Sequence, residues 1–150
     1  MSHSYNAHYV HVVFSTKERR AALTPEVRVE LFALLMSIAR RLGTDPVRVG
    51  GWVDHVHLLI RFNATSQVAS LVRDLKANSS RWVHEHWPAK KDFAWQEGYA
   101  AFSVSPGTVE SVKRYIETQE EHHRRISFRE EYLEFLRSAG IEYDERFVLG

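Results

Sequence analysis

The chain has 150 residues, 44% of them apolar and 26% charged, a length suited to one domain that buries about two-thirds of its unfolded surface. It contains no cysteine, which excludes disulfides, thiolate metal sites and a cysteine nucleophile, and makes a reducing compartment the expectation. Its 20 basic and 19 acidic residues nearly cancel, yet residues 1–114 hold 15 basic against 10 acidic and residues 115–150 hold 5 against 9, which reads either as a solvated surface with an acidic tail or as a nucleic-acid surface confined to the first three-quarters.

The opening Met1-Ser2-His3-Ser4-Tyr5-Asn6 has no basic region followed by an apolar stretch, so no secretory leader is expected. The longest apolar run, Leu31–Met36, is far short of the roughly 18 residues of a membrane span. Residues 8–14, rich in valine and aromatics, predict a strand. Thr24 as N-cap and Pro25 in the first turn open a helix whose Val27, Leu31, Leu34, Leu35, Ile38 and Leu42 recur at helical spacing until Gly43. Residues 47–53 and 55–62 read as two strands around a short turn at Asp54. In the second, Val56, Leu58, Ile60 and Phe62 share one face, and His55, His57, Leu59 and Arg61 share the other.

A second helix starts near Thr65-Ser66 and ends before Pro88. Residues 93–96 and 99–104 read as short strands around Glu97-Gly98. A third helix is expected over about 107–121, with Val109, Val112 and Ile116 buried and Tyr115 and Gln119 one turn apart beside that stripe. Ser127 and Glu130 form a capping box for a last helix that ends at Gly140. The order predicts an α+β fold: an antiparallel sheet with helices on one face, the other face open, and a C-terminal helical extension. The whole of 1–150 reads as one unit, with 1–106 as its core and 107–150 as the tyrosine helix and extension.

His55-Val56-His57 is the first candidate for chemistry. Residues i and i+2 on a strand are about 6.6 Å apart and project the same way, so two neutral imidazoles can converge on one divalent ion. A pair of merely hydrogen-bonded histidines is the alternative. His84 and His86 lie on opposed sides of a helix and cannot chelate together. His122 and His123, adjacent at a helix end, read as carbonyl caps or partner contacts. Tyr115 follows Lys113 and Arg114. A phenol is a weak nucleophile in water and becomes competent when cations polarise the phosphate it attacks.

These residues sit in Trp52-Val53-Asp54-His55-Val56-His57-Leu58-Leu59 and Tyr115-Ile116-Glu117-Thr118-Gln119. Together with Val12–Lys17, Leu75–Ser80, Phe93–Tyr99, Phe102–Ser105 and Tyr143-Asp144-Glu145, they make the chain resemble the single-tyrosine HUH transposases of small bacterial insertion sequences. The resemblance includes relatives associated with repetitive extragenic palindromes, and its blocks span essentially the whole chain. One departure is Ala100-Ala101, where many relatives have Gly-Ala at what would be a turn.

The resemblance implies a ferredoxin-like or RRM-like sheet, with Tyr115 as nucleophile and His55, His57 and Gln119 as ligands of Mg²⁺ or Mn²⁺. It implies single-stranded DNA, folded into a hairpin near the cut, as substrate in a bacterial or archaeal cytoplasm. It also implies a homodimer in which one subunit's tyrosine completes the other's site. Asp54 either orients a ligand histidine or only makes the turn. Lys17, Arg19, Arg20, Arg73, Lys76, Arg81, Lys113 and Arg114 are the candidate phosphate contacts, and Trp52, Trp82, Trp87 and Trp95 the candidate base-stacking residues. A catalytically silent nucleic-acid-binding module and a hydrolase with a water nucleophile are the competing readings.

Overall fold

The computed structural model describes residues 3–150; Met1 and Ser2, which open the segment read above for a leader, lie outside them. Strands β1 (His8–Ser15), β2 (Asp45–Gly51), β3 (His55–Phe62) and β4 (Ala100–Val104) form one antiparallel sheet in the order β2-β3-β1-β4. Helices α1 (Pro25–Arg41) and α2 (Val68–His86) connect them in the βαββαβ order of a ferredoxin-like domain. Thr24 caps α1 and Pro25 occupies its first turn, as expected. No helix among the described residues is long and apolar enough to cross a membrane.

Alternation along the strands sorts the residues onto two faces. Val10, Val12 and Phe14 of β1 and Val56, Leu58, Ile60 and Phe62 of β3 are buried together with Leu31, Leu35 and Ile38 of α1 and Leu71, Val72 and Leu75 of α2. The intervening residues, including His11, Val13, His55 and His57, point to the opposite face. That face is not open. It is covered by α3 (Val109–Glu117), α4 (Gln119–His122) and α5 (Phe128–Ser138) of the C-terminal extension. Val13 and Ala100 pack there against Phe128, Tyr132 and Leu136 of α5, and Phe102, Tyr143, Val148 and Leu149 complete the cluster.

Three local expectations change. The single helix expected over 107–121 breaks at Thr118, whose hydroxyl donates to the carbonyls of Arg114 at 3.0 Å and Tyr115 at 3.3 Å. Such back-bonding by threonine competes with the regular ladder and bends the chain. The strand expected at 93–96 is only a single bridge between Thr16 and Trp95, because Phe93 and Trp95 turn into the core. Ala100 and Ala101 lie in β4 opposite Val13 and Val12, not in a turn, so the methyl of Ala100 adds to the packing under α5.

Candidate active site

His55 and His57 stand on the covered face of β3, both fully buried. Their neighbours hold the two rings by their Nδ1 atoms. Asp54 Oδ1 accepts from His55 Nδ1 at 2.8 Å. His57 Nδ1 lies 2.8 Å from Nε2 of His11, which occupies the diagonal position on β1, since the residue paired with His11 is Leu59. With Nδ1 of each ring engaged, both Nε2 atoms face the same interior point. Burial among other imidazoles keeps this pair neutral, pulling His11 down to about 3 and His57 down to about 4.

The helices of the extension fill the rest of the site. Gln119 Oε1 lies 2.9 Å from His55 Nε2 and 2.8 Å from His123 Nε2. The Glu131 carboxylate, 2% exposed, brings Oε1 to 3.1 Å from His57 Nε2, 3.3 Å from His123 Nε2 and 3.5 Å from His55 Nε2. Its other oxygen accepts from the Tyr115 hydroxyl and from Gln119 Nε2 at 3.3 Å, and lies 3.2 Å from His122 Nε2. Burial raises the Tyr115 hydroxyl well above the ordinary phenol range, and the adjacent Glu131 charge raises it further. Burial opposes the Glu131 charge, but hydrogen bonds from His123 and His57 outweigh it and hold that carboxyl far below its usual range.

This arrangement is short of protons. His123 faces the Ile126 carbonyl with Nδ1 at 2.9 Å and two side-chain oxygens with Nε2, and His55 likewise meets oxygen at both ring nitrogens. An imidazole with two acceptors needs a second proton or a bound cation. For His123, burial disfavours the charge, yet the Glu131 carboxylate wins and its pKa is raised. One ligand atom from each of His55, His57, His123 and Glu131 lies within 4.8 Å of the others. Three imidazoles, a carboxylate and an amide oxygen fit a divalent cation.

Sequence reasoning therefore located Tyr115, His55, His57, Gln119 and Asp54, which the fold brings together. It missed His11, His123 and Glu131. His11 was signalled only by its parity on β1. His122 and His123 do not serve merely as end caps, because the break at Thr118 turns both toward Glu131. Glu131 sits beside the apolar stripe of α5, where a carboxylate ordinarily meets solvent.

Tyr115 on α3 meets Glu131 of its own chain. Gly50 makes this possible: a Cβ there would lie 2.5 Å from the Ile116 carbonyl oxygen, so only glycine lets α3 settle on β2. Arg48 Nε and Glu117 Oε1 pair at 3.0 Å along the same contact, without hydrogen-bond alignment. A cleft lined by Tyr115, His122, Glu131, Glu134 and Phe135 leads to the hydroxyl.

The candidate phosphate contacts do not form one patch. Lys113 and Arg114 flank Tyr115 on α3, whereas Arg73, Lys76 and Arg81 lie on α2, across the sheet from His55 and His57. The Lys76 ammonium donates to the carbonyls of Gln96 at 2.8 Å and Gly98 at 2.6 Å. Arg20 pairs with Glu18 and Asp92 beside Lys17 and Arg19 in the turn after β1. Trp95 is a core residue whose Nε1 donates to Ser79, and Arg28 covers Trp52 at 4.6 Å.

A ferredoxin-like sheet with a His-hydrophobe-His strand, faced by a helix bearing one tyrosine, defines the class of the single-tyrosine transposases. Residues 4–119 match the model of the IS200-like transposases, and the chain belongs to that family. It is 29% identical over 114 residues to the ISDra2 transposase TnpA of Deinococcus radiodurans, spanning 73% of this chain and 81% of that protein. The transposase of insertion sequence element IS200 from Salmonella typhimurium is 27% identical over 126 residues, 80% of this chain and 81% of its own length. Among solved structures, a candidate transposase from Deinococcus radiodurans aligns with a TM-score of 0.65 at 28% identity, over 79% of this chain and 96% of that one. A REP-associated tyrosine transposase bound to a REP hairpin aligns with a TM-score of 0.60 over 82% of this chain and 74% of its own; at 15% identity the likeness is one of fold.

Proposed function

We propose that this transposase cuts and rejoins single-stranded DNA through a covalent tyrosine intermediate, with hairpin ends as substrate. The observation that carries the reading is the single hydrogen-bonded network joining Tyr115 through Glu131 to His57, with Gln119 and His55 in the same cluster. The cleft over Tyr115 holds the carboxylates Glu131 and Glu134, which repel a phosphodiester. His55, His57 and Gln119 would hold Mg²⁺ or Mn²⁺, which would offset that charge and polarise the scissile phosphate.

Tyr115 supplies the attacking oxygen: its bond to phosphorus forms as the bond from phosphorus to the 3′ oxygen breaks. The phenolic proton is surrendered to a neighbouring acceptor and the departing 3′ oxygen takes one up. The products are a 5′-phosphotyrosine and a free 3′-hydroxyl, so a second 3′-hydroxyl can reverse the reaction on another strand without an external energy source. Asp54 and His11 hold the rings of His55 and His57, while Lys17, Arg19, Arg20, Arg73, Arg81, Lys113 and Arg114 are the proposed phosphate contacts. A homodimer would cover a free sheet edge, but no tyrosine needs to be exchanged.

The test is to incubate the protein with Mg²⁺ or Mn²⁺ and labelled single-stranded hairpins and to separate the products under denaturing conditions. A labelled, protein-linked species is expected. Cleavage that leaves no such species at any time point identifies water as the nucleophile, and hairpin binding without cleavage identifies a silent binding module.

A further inference from the structure

Two donors at the His cluster, His123 and Glu131, lie beyond residue 119, where the family match ends. Resting on the reading of His55 and His57 given above, we propose that these two residues are ligands of the same divalent ion. The C-terminal extension is then a working part of the metal site and not only a lid on the sheet.

Chemistry and packing converge on this assignment. His55, His57 and Gln119 offer two imidazoles and a neutral amide, a weak set for a hard cation such as Mg²⁺ or Mn²⁺, which prefers anionic oxygen. Glu131 is the buried carboxylate that supplies it. Among the described residues, the basic side chains within 4 Å of it are four histidines, with no lysine or arginine. A carboxylate removed from water at that cost requires a countercharge, and a divalent ion provides one.

Apolar contacts of α5 help to place Glu131. Phe128 stacks on His55 at 4.3 Å, and Tyr132 and Leu136 pack on Val13 and Ala100, so apolar contacts seat α5 with its carboxylate already inward. His123 is equally prepared: Nδ1 is taken by the Ile126 carbonyl, leaving Nε2 to face the cluster. Because the second oxygen of Glu131 accepts from the Tyr115 hydroxyl, the same side chain keeps the tyrosine beside the ion's ligands.

The experiment is titration of the full-length protein with Mn²⁺ alone, followed by calorimetry and by the electron paramagnetic resonance of the free ion. Glu131→Gln and His123→Asn should each weaken binding about tenfold or more, at least the effect of losing an outer-shell partner. Glu85→Gln, an exposed carboxylate on α2 across the sheet from the cluster, should stay within about twofold of wild type. Circular dichroism checks the fold, and Glu131→Asp, which keeps the charge on a shorter arm, should bind better than Glu131→Gln. Wild-type affinity in folded Glu131→Gln and His123→Asn overturns the assignment and leaves the His55/His57 reading intact. If the wild type binds no Mn²⁺, or His57→Ala binds as tightly as wild type, the metal reading itself falls and the assignment with it.

Discussion

The two faces of the sheet are built from alternate residues of the same strands and obey opposite rules. On the α1/α2 face, Leu58, Ile60 and Phe14 meet other apolar side chains, and each contributes stability roughly in proportion to the area it hides from water. On the α3–α5 face, His11, His55, His57, Gln119 and Glu131 are as deeply buried, yet they meet chiefly one another. Buried polar groups that satisfy each other add little net stability, and losing one partner leaves the rest uncompensated. The first face holds the fold together. The second gathers polar side chains away from water.

The sharpest way to test this division is at Tyr115, the proposed nucleophile. Tyr115→Phe should abolish the covalent adduct while hairpin binding stays within a few-fold, since the ring keeps its packing against His11 and Phe135. Comparable nicking by this variant would break the assignment. Next come neighbours on β3 that point to opposite faces. His57→Ala should lower cleavage by orders of magnitude with the secondary structure intact, whereas Leu58→Ala should cost about 2–5 kcal/mol in denaturant unfolding. If both variants lose mainly stability, the two faces do not differ in the way described.

Mixing inactive His57→Ala with inactive Tyr115→Phe separates a site made by one chain from one shared between two. With Tyr115 seated by Gly50 in its own chain, no cleavage should return even when subunits demonstrably exchange. Recovered activity would mean that α3 crosses to a partner.

The smallest effect is on pH dependence without metal. His11 and His57 are held neutral at about 3 and about 4, against 6.5 in the unfolded chain. The unfolded state therefore binds more protons between those values, and stability present above pH 6.5 is lost as the pH falls. Each such proton contributes a slope of about 1.4 kcal/mol per pH unit within its window. His123, whose pKa is raised, runs the other way and stabilises the fold below 6.5, and Glu131 adds to the acid loss at the lower end. Urea unfolding midpoints at pH 7 and pH 5 in the presence of chelator would measure the balance. His11→Phe should flatten the profile; an unchanged slope would show that His11 is not held neutral.

Local pattern was enough for the α+β class, for β1, β3 and the first two helices, for pairing His55 with His57 and for placing Gln119 one turn from Tyr115. Alternation on β3 and helical spacing on α1 are one-dimensional signals, carried by residues two, three or four apart. Motif resemblance added the roles, because a His-x-His strand and a distant tyrosine have no local relation that spacing can reveal. Other features belonged to the tertiary structure alone. The covered face, the break at Thr118, the diagonal contact of His11 with His57 and the inward turn of His123 and Glu131 join segments 46 to 76 residues apart, or depend on how α5 seats against them. On an isolated α5, Glu131 is one more acidic residue beside an apolar stripe. Only when Phe128 stacks on His55 does its carboxylate enter a site where water is excluded and imidazoles surround it.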